Sequence, residues 1–290
     1  MEINSRQQFM TQTLLPIALV LLSGMFHSVW NLFTKLSLNK SVFLWWTQWV
    51  AILVYLPTVI YELQSHSIEP TGYLLLLGTM ALHGLYVILL AKTYTIGDMS
   101  QVYPIMRGTS PLLVPLLGVL LLGESLTFYG WLGVALIVAG VLSLGGWRIQ
   151  AASKKPVYYA LAVGIIITSY TVYDKITLAY VPPLTLNEAT NVGNLIALSY
   201  IALRSGMIKQ EWQANWKTIL LGGVLAPGAY ILFLFALWMA PVSQLAPMRE
   251  IGTVFGTFLA IFLLREEQGP KRIAASILIT AGVILLGIWG

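Results

Sequence analysis

The chain has no cysteine and very little charge. Without thiols it has no disulfide framework, no thiolate nucleophile and no cysteine metal site. Charged residues make up only 9% of its 290 residues, where a water-soluble domain carries about 25%. That deficit excludes a soluble fold, because too few polar residues remain to cover a surface in water. Histidines number three, and none follows His83, which leaves serine-histidine hydrolysis without a suitably placed base. No Walker lysine motif occurs, so ATP drive within this chain is not expected. Hydrophobic residues instead reach 58% and the mean hydropathy is +0.80. These values describe an integral membrane protein.

A bilayer core of about 30 Å requires about 20 apolar residues per helix. Ten such stretches are expected: Leu14–Leu36, Ser41–Tyr61, Thr71–Lys92, Ser100–Leu122, Leu126–Gly146, Pro156–Thr177, Pro183–Arg204, Trp216–Met239, Ser243–Leu264 and Lys271–Trp289. The connections between them are too short to be domains. Met1–Gln12 is polar, and no small-residue cleavage site follows Leu14, so the first apolar run reads as a retained helix.

The net charge of +5 is scattered among short loops, which points to topology and not to nucleic acid. Lys40, Arg148, Lys154, Lys155, Arg204, Lys209, Lys217, Lys271 and Arg272 collect on one side. That side is expected to be cytoplasmic, in the cell membrane, with both termini extracytoplasmic.

The second half of the chain rereads the first. Gly24, Ser28, Trp30, Lys35 and Leu38 are echoed 140 residues on by Gly164, Thr168, Tyr170, Lys175 and Leu178. Ser100-Gln101-Val102-Tyr103-Pro104-Ile105-Met106-Arg107 is answered by Ser243-Gln244-Leu245-Ala246-Pro247-Met248-Arg249. Leu122-Gly123-Glu124 recurs as Leu264-Arg265-Glu266, and Ala139-Gly140-Val141 as Ala281-Gly282-Val283. The chain therefore divides at about residue 150, with 1–150 and 151–290 forming one membrane domain together. Five spans per copy is an odd number, so the copies must lie inverted relative to one another. An inverted duplication of membrane helices is a signature of secondary transporters.

Ionisable and amide side chains at membrane depth are candidate functional groups, against the alternative of hydrogen bonding between helices. The first span carries His27, Trp30 and Asn31 on or beside one stripe. The sixth carries Tyr170 beside Asp174 and Lys175, which read as a local pair. The second holds Gln48 and Trp49, and the seventh Asn187, Glu188, Asn191 and Asn194, with Glu188 where Gln48 falls in the first copy. Glu188 is the candidate for a coupling proton or a bound cation, with a buried structural pair as the alternative. His83, Tyr86, Tyr94, Tyr230 and Trp238 suit either a cavity wall or the membrane interface. Gly252 and Gly256 suit helix packing. Tyr103 and the matched Arg107 and Arg249 sit beside Pro104 and Pro247. Arginine binds carboxylate or phosphate through paired hydrogen bonds; the alternative is an ion pair between Arg107 and Glu250.

Several of these features together resemble the drug/metabolite transporter superfamily, EamA type. They are the ten spans in two repeats, His27-Ser-Val-Trp-Asn31 and Lys35 in the first span, Pro104 and Arg107-Gly-Thr-Ser-Pro-Leu-Leu-Val leading into Leu122-Gly-Glu124, and an Ala-Gly-Val helix closing each repeat. The likeness covers essentially the whole chain. It implies a basket of ten helices around a central cavity, alternating access, and substrates such as amino acids, other small metabolites, sugar derivatives or amphipathic drugs. The second copy departs from the first where Gly108 becomes Glu250 and Pro111 becomes Thr253, which argues against a strictly symmetric site.

The expected protein is all-α, with ten transmembrane helices as two inverted five-helix repeats around a central cavity. It is a transporter of a small polar organic solute, either amino-acid-like or another zwitterionic metabolite such as an aminophosphonate. A multidrug exporter of lipophilic cations and an intramembrane enzyme are the rivals. No cofactor, metal or nucleic acid is expected, proton coupling is open, the partners are the solute and the bilayer, and nothing in the sequence separates a monomer from a homodimer.

Overall fold

The computed structural model describes residues 14–96, 99–144, 154–264 and 270–290. Among them lie eleven α-helices and no strand. They are α1 (Leu15–Leu36), α2 (Lys40–Ser65), α3 (Pro70–Ile96), α4 (Met99–Leu122), α5 (Phe128–Leu144), α6 (Lys155–Thr177), α7 (Pro183–Arg204), α8 (Ile208–Met239), α9 (Val242–Met248), α10 (Ile251–Leu264) and α11 (Pro270–Trp289). Seven stretches, in α1, α2, α3, α4, α6, α8 and α11, are long and apolar enough to cross a membrane. In α7 the apolar pattern is diluted by Asn187, Glu188 and Asn191, which are buried, and by half-buried Asn194.

The surface is apolar, as a lipid-facing surface requires. Leu53, Leu74, Leu77, Leu120, Ile196 and Leu203 are exposed, while Ser23, Thr79, Asp174 and Glu211 are fully buried. Lipid tails offer no hydrophobic drive between helices, so association depends on close packing and on hydrogen bonds. The packing of α5 on α11 illustrates the first: a Cβ on Gly133 would lie 2.8 Å from the Gly282 carbonyl, and one on Gly140 would lie 2.9 Å from that of Ala275. Three carboxylates supply the second by meeting backbone N–H groups at helix starts. Glu62 accepts from Thr185 N at 2.8 Å on α7. Glu211 accepts from Asn39 N at 2.6 Å, just before α2. Glu124 accepts from Val242 N at 2.9 Å and Ser243 N at 2.8 Å on α9. Each satisfies donors that a helix start leaves open.

Most packing runs between the halves of the chain. The pairs are α5 with α11, α2 with α7, α4 with α9, α1 with α8 and α10, α6 with α3 and α4, α3 with α7, and α8 with α2. Thus α2–α7 forms one wall and α4–α9 another, with α1, α3, α6 and α8 bridging them.

The second and third helices run four residues past their expected ends, to Ser65 and Ile96, and two further elements differ more deeply from the sequence expectation. The eighth span starts at Ile208, eight residues before Trp216, because the polar stretch before the span is itself helical. Asn215 there departs from helical geometry (φ −126°, ψ 17°) and hydrogen-bonds Glu211 at 2.6 Å. The ninth span, expected to be continuous, breaks at Arg249–Glu250. Pro247 has no N–H for the helical ladder, and the chain crosses the break on short i to i+3 bonds such as Glu250 N to Pro247 O at 3.0 Å. On α1, Gly24 lets that break come close: a Cβ on Gly252 would lie 2.7 Å from the Gly24 carbonyl.

Candidate functional site

A cavity runs down the middle of the helices in two connected parts. The outer part, about 420 Å³, is lined at its mouth by Leu38, Asn39, Lys40, Ser41 and Thr95, where α1 meets α2 and α3 ends. The inner part, about 140 Å³, lies deeper between the α2–α7 and α4–α9 walls. His27, Trp30, Tyr86 and Arg107 line both parts.

The break between α9 and α10 supplies the densest charge. Arg107 of α4 places its Nε 3.3 Å from Glu250 Oε2, so the ion pair that stood as the alternative is formed. It does not remove either group from the site, because both line the inner chamber. Arg249 lies beside them, its guanidinium 4.5 Å from the Phe233 ring centre and 5.4 Å from that of Tyr230. A cation over two rings is held by their negative faces, which leaves the polar edge of the fork able to reach an anion.

At the far end of the chamber Asp174 is fully buried and accepts from three side chains. Thr79 donates at 2.8 Å and the Tyr230 hydroxyl donates as well, while His83 Nε2 lies 2.8 Å from Oδ2. This corrects the expected local pair with Lys175. Lys175 projects the other way, donating to Leu237 O at 2.5 Å and Ala240 O at 3.0 Å. Successive helix positions point about 100° apart, so sequence neighbours rarely share a face. Lys175 thus meets the carbonyl end of α8, where a cation is favoured. His83 also lies against Tyr170, ring centres 4.1 Å apart, and Tyr170 against Tyr86 at 5.5 Å.

The amide wall lies across the chamber. Gln48, Asn187, Asn191 and Asn194 line it. Glu188 sits behind this surface, accepting from Asn191 Nδ2 at 3.0 Å, and is absent from the lining residues. On α1 the Trp30 indole donates to His27 Nδ1 at 3.2 Å.

Of the sequence candidates, Asn31 lines the outer part only. Gln48, His83, Tyr170, Asn191, Tyr230, Arg249 and Glu250 line the inner part. The side chains of Tyr103 and Tyr94 lie outside the described residues. Trp49, expected beside Gln48 in the lining, is instead 40% exposed and lines neither part, while Trp238, 61% exposed, fits the membrane-interface alternative. Phe233, Ser110 and Thr190 line the chamber without having been singled out. Phe233 carried no signal, since only the position of Arg249 makes it a platform. Ser110 and Thr190 sit one helical turn from Arg107 and Asn187, so the inward face extended from those residues would have found them.

The family described as EamA-like transporter family matches twice, over residues 14–145 and 154–288. A 75-residue stretch is 36% identical to the probable 4-amino-4-deoxy-L-arabinose-phosphoundecaprenol flippase subunit ArnE of Enterobacter sp. (strain 638), spanning 26% of this chain and 70% of that one. A solved crystal structure superposes with a TM-score of 0.75 over 95% of this chain and 96% of the other, at 18% identity. That last likeness is one of fold.

Proposed function

The chain belongs to the EamA-like transporter family, and from that membership and its cavity we propose a secondary transporter that moves a small zwitterionic solute by alternating access. The observation that carries this is the convergence of Arg107, Arg249 and Glu250 on one chamber at a break in a membrane helix. Discontinuous helices at mid-membrane are where secondary transporters bind substrate. Two guanidiniums against one carboxylate leave a surplus positive charge in that corner, which suits a carboxylate or phosphonate head.

We read the fold as ten spans in two inverted five-helix repeats, with α9 and α10 forming the ninth span. Two features support this reading. The family match occurs once in each half. The packing is also reciprocal: exchanging each first-half helix for its counterpart turns α1–α8 into α6–α3, α3–α7 into α8–α2, and α4–α6 into α10–α1. The glycine contacts behave likewise. Gly140 and Gly282 correspond in the Ala-Gly-Val echo, and the same offset relates Gly133 to Ala275. The Gly133–Gly282 approach then becomes the Ala275–Gly140 approach. Such reciprocity is what a two-fold relation imposes.

The mouth opens beside Lys40, on the side that collects the basic loops. By the positive-inside rule that side is cytoplasmic and both termini are outside. The described state is then open inward. The end away from this mouth is closed by the Asp174 network, by Lys175 on α8 and by Glu124 on α9.

Flux into proteoliposomes of radiolabelled L-amino acids, 2-aminoethylphosphonate and lipophilic cations tests the reading. Saturable zwitterion flux that is lost in Arg107→Ala is the expected result. Flux of lipophilic cations alone, lost in Glu188→Gln, would replace it with multidrug export. The name of the ArnE relative describes a cargo with an amino sugar and a phosphate, so a lipid-linked amino-sugar phosphate belongs in the same panel.

A further inference from the structure

The wall facing the arginines carries hydrogen-bonding capacity that the protein leaves unused. Gln48 Oε1, Asn187 Oδ1, Asn187 Nδ2 and Asn194 Oδ1 are buried atoms with no hydrogen-bond partner among the described residues. Their residues all line the inner chamber. Gln48 is 9% exposed and Asn187 1%. Leaving one such group unsatisfied is destabilising, and here four such atoms cluster on one wall. Poor local packing does not explain them. The same two helices are joined tightly nearby, with Trp45 Nε1 donating to Ser199 Oγ at 3.0 Å, and α3 approaches α7 so closely that a Cβ on Gly193 would lie 2.6 Å from the Met80 carbonyl.

Three of the four atoms are acceptor oxygens. Behind them Glu188 engages one amide N–H of Asn191, and its other oxygen, Oε1, is also buried without a hydrogen-bond partner. The wall is therefore rich in acceptors and backed by a carboxylate, while the opposite wall carries Arg107 and Arg249.

We propose that the Gln48–Asn187–Asn194 wall is the seat of the substrate's ammonium group, so that a zwitterion lies across the chamber with its anionic head on the arginines. This rests on the transporter reading above. An ammonium presents three N–H donors, and neutral amide oxygens receive them without a full countercharge on the surface. Glu188, one layer back, supplies the negative field. A substrate lacking the amine leaves these acceptors buried and unsatisfied, which penalises it twice: it loses charged hydrogen bonds and still desolvates the wall. Selectivity for the amino compound over its des-amino analogue therefore arises here and not at the arginines.

The test uses the purified full chain and thermal stabilisation, which reads binding by mass action. Matched pairs are compared in sodium buffer and in potassium buffer: L-alanine with propionate, L-leucine with 4-methylpentanoate, L-phenylalanine with 3-phenylpropionate, and 2-aminoethylphosphonate with ethylphosphonate. The amino member of at least one pair is expected to bind roughly tenfold to a hundredfold more tightly than its partner, the worth of one or two charged hydrogen bonds. In Asn187→Leu and in Gln48→Met that preference should collapse while weak binding of the des-amino anion persists and still depends on Arg107. Persistence of the anion arm shows that the variants are folded.

Equal binding of both members of a pair in the wild type would overturn the ammonium seat while leaving the arginine clamp in place. Binding that requires sodium and loses that requirement in Asn187→Leu would overturn it in favour of a metal cation on the wall. Stabilisation by none of the pairs would overturn the zwitterion reading, and this proposal with it.

Discussion

Arg107 Nε lies 3.3 Å from Glu250 Oε2, across the contact between α4 and the break that separates α9 from α10. The two residues come from different halves of the chain. Both side chains are largely withdrawn from solvent, at 15% and 7% exposure. Breaking a buried pair by removing one partner leaves an uncompensated charge and costs about 3–5 kcal/mol. Glu250→Gln is therefore expected to lower the melting temperature of the ligand-free protein. An anion that binds the freed arginines should restore much of that loss, so the variant should gain more from 2-aminoethylphosphonate than the wild type does. A variant that melts unchanged would mean that the pair carries no weight.

Arg249→Ala separates binding from folding. Its guanidinium rests on Phe233 and Tyr230, so the variant loses a cation–π contact of about 0.5–2 kcal/mol while the helices keep their packing. It should purify as a monodisperse species and lose at least tenfold in affinity for an anionic head. Aggregation of this variant would instead assign Arg249 to the structure.

Gly24 and Gly256 should respond oppositely to a side chain. A Cβ at Gly24 would lie 2.9 Å from Ile251 Cγ2 and 3.0 Å from Gly252 N, whereas the nearest atom to one at Gly256 is Ser28 Cβ at 3.8 Å. Gly24→Val should push α1 off the helix break and destabilise by about 1–3 kcal/mol, with loss of flux. Gly256→Ala should be close to neutral in both respects. Of the two glycines read as a packing pair, only Gly252 is in tight contact.

Glu124 should act through geometry as well as charge. Its two oxygens accept from Val242 N and Ser243 N. Glu124→Ala removes both and should cost about 1–2 kcal/mol, as loss of a helix cap does. Glu124→Gln retains an acceptor and should cost less. Equal melting temperatures for the two variants would refute the capping role.

Glu188→Gln is expected to flatten the pH dependence of flux if this carboxylate binds the coupling proton, since it would remove the titrating group behind Asn191 while keeping the amide contact isosteric. An unchanged pH profile would transfer the coupling role elsewhere, with Asp174 and His83 as the next pair to substitute.

The sequence by itself determined the membrane class and the all-helical architecture, because composition and apolar run length register directly how many residues must face lipid; the family showed in the order and spacing of motifs across the two copies. It also determined which residues would be polar at depth, including the matched Arg107 and Arg249, since the two copies can be read one against the other. What it did not hold was partnership. Asp174 stands next to Lys175 in the chain, yet it bonds His83 and Tyr230, which are 91 and 56 positions away. Glu188 aligns with Gln48, yet one lines the chamber and the other sits behind it. The break at Arg249–Glu250 has only Pro247 as a local signal, while the matched Pro104 lies in a helix that runs unbroken from Met99 to Leu122. Each of these outcomes depends on which helices of the other half pack against the residue. That choice is made by long-range contacts, and it is the tertiary structure alone that decides it.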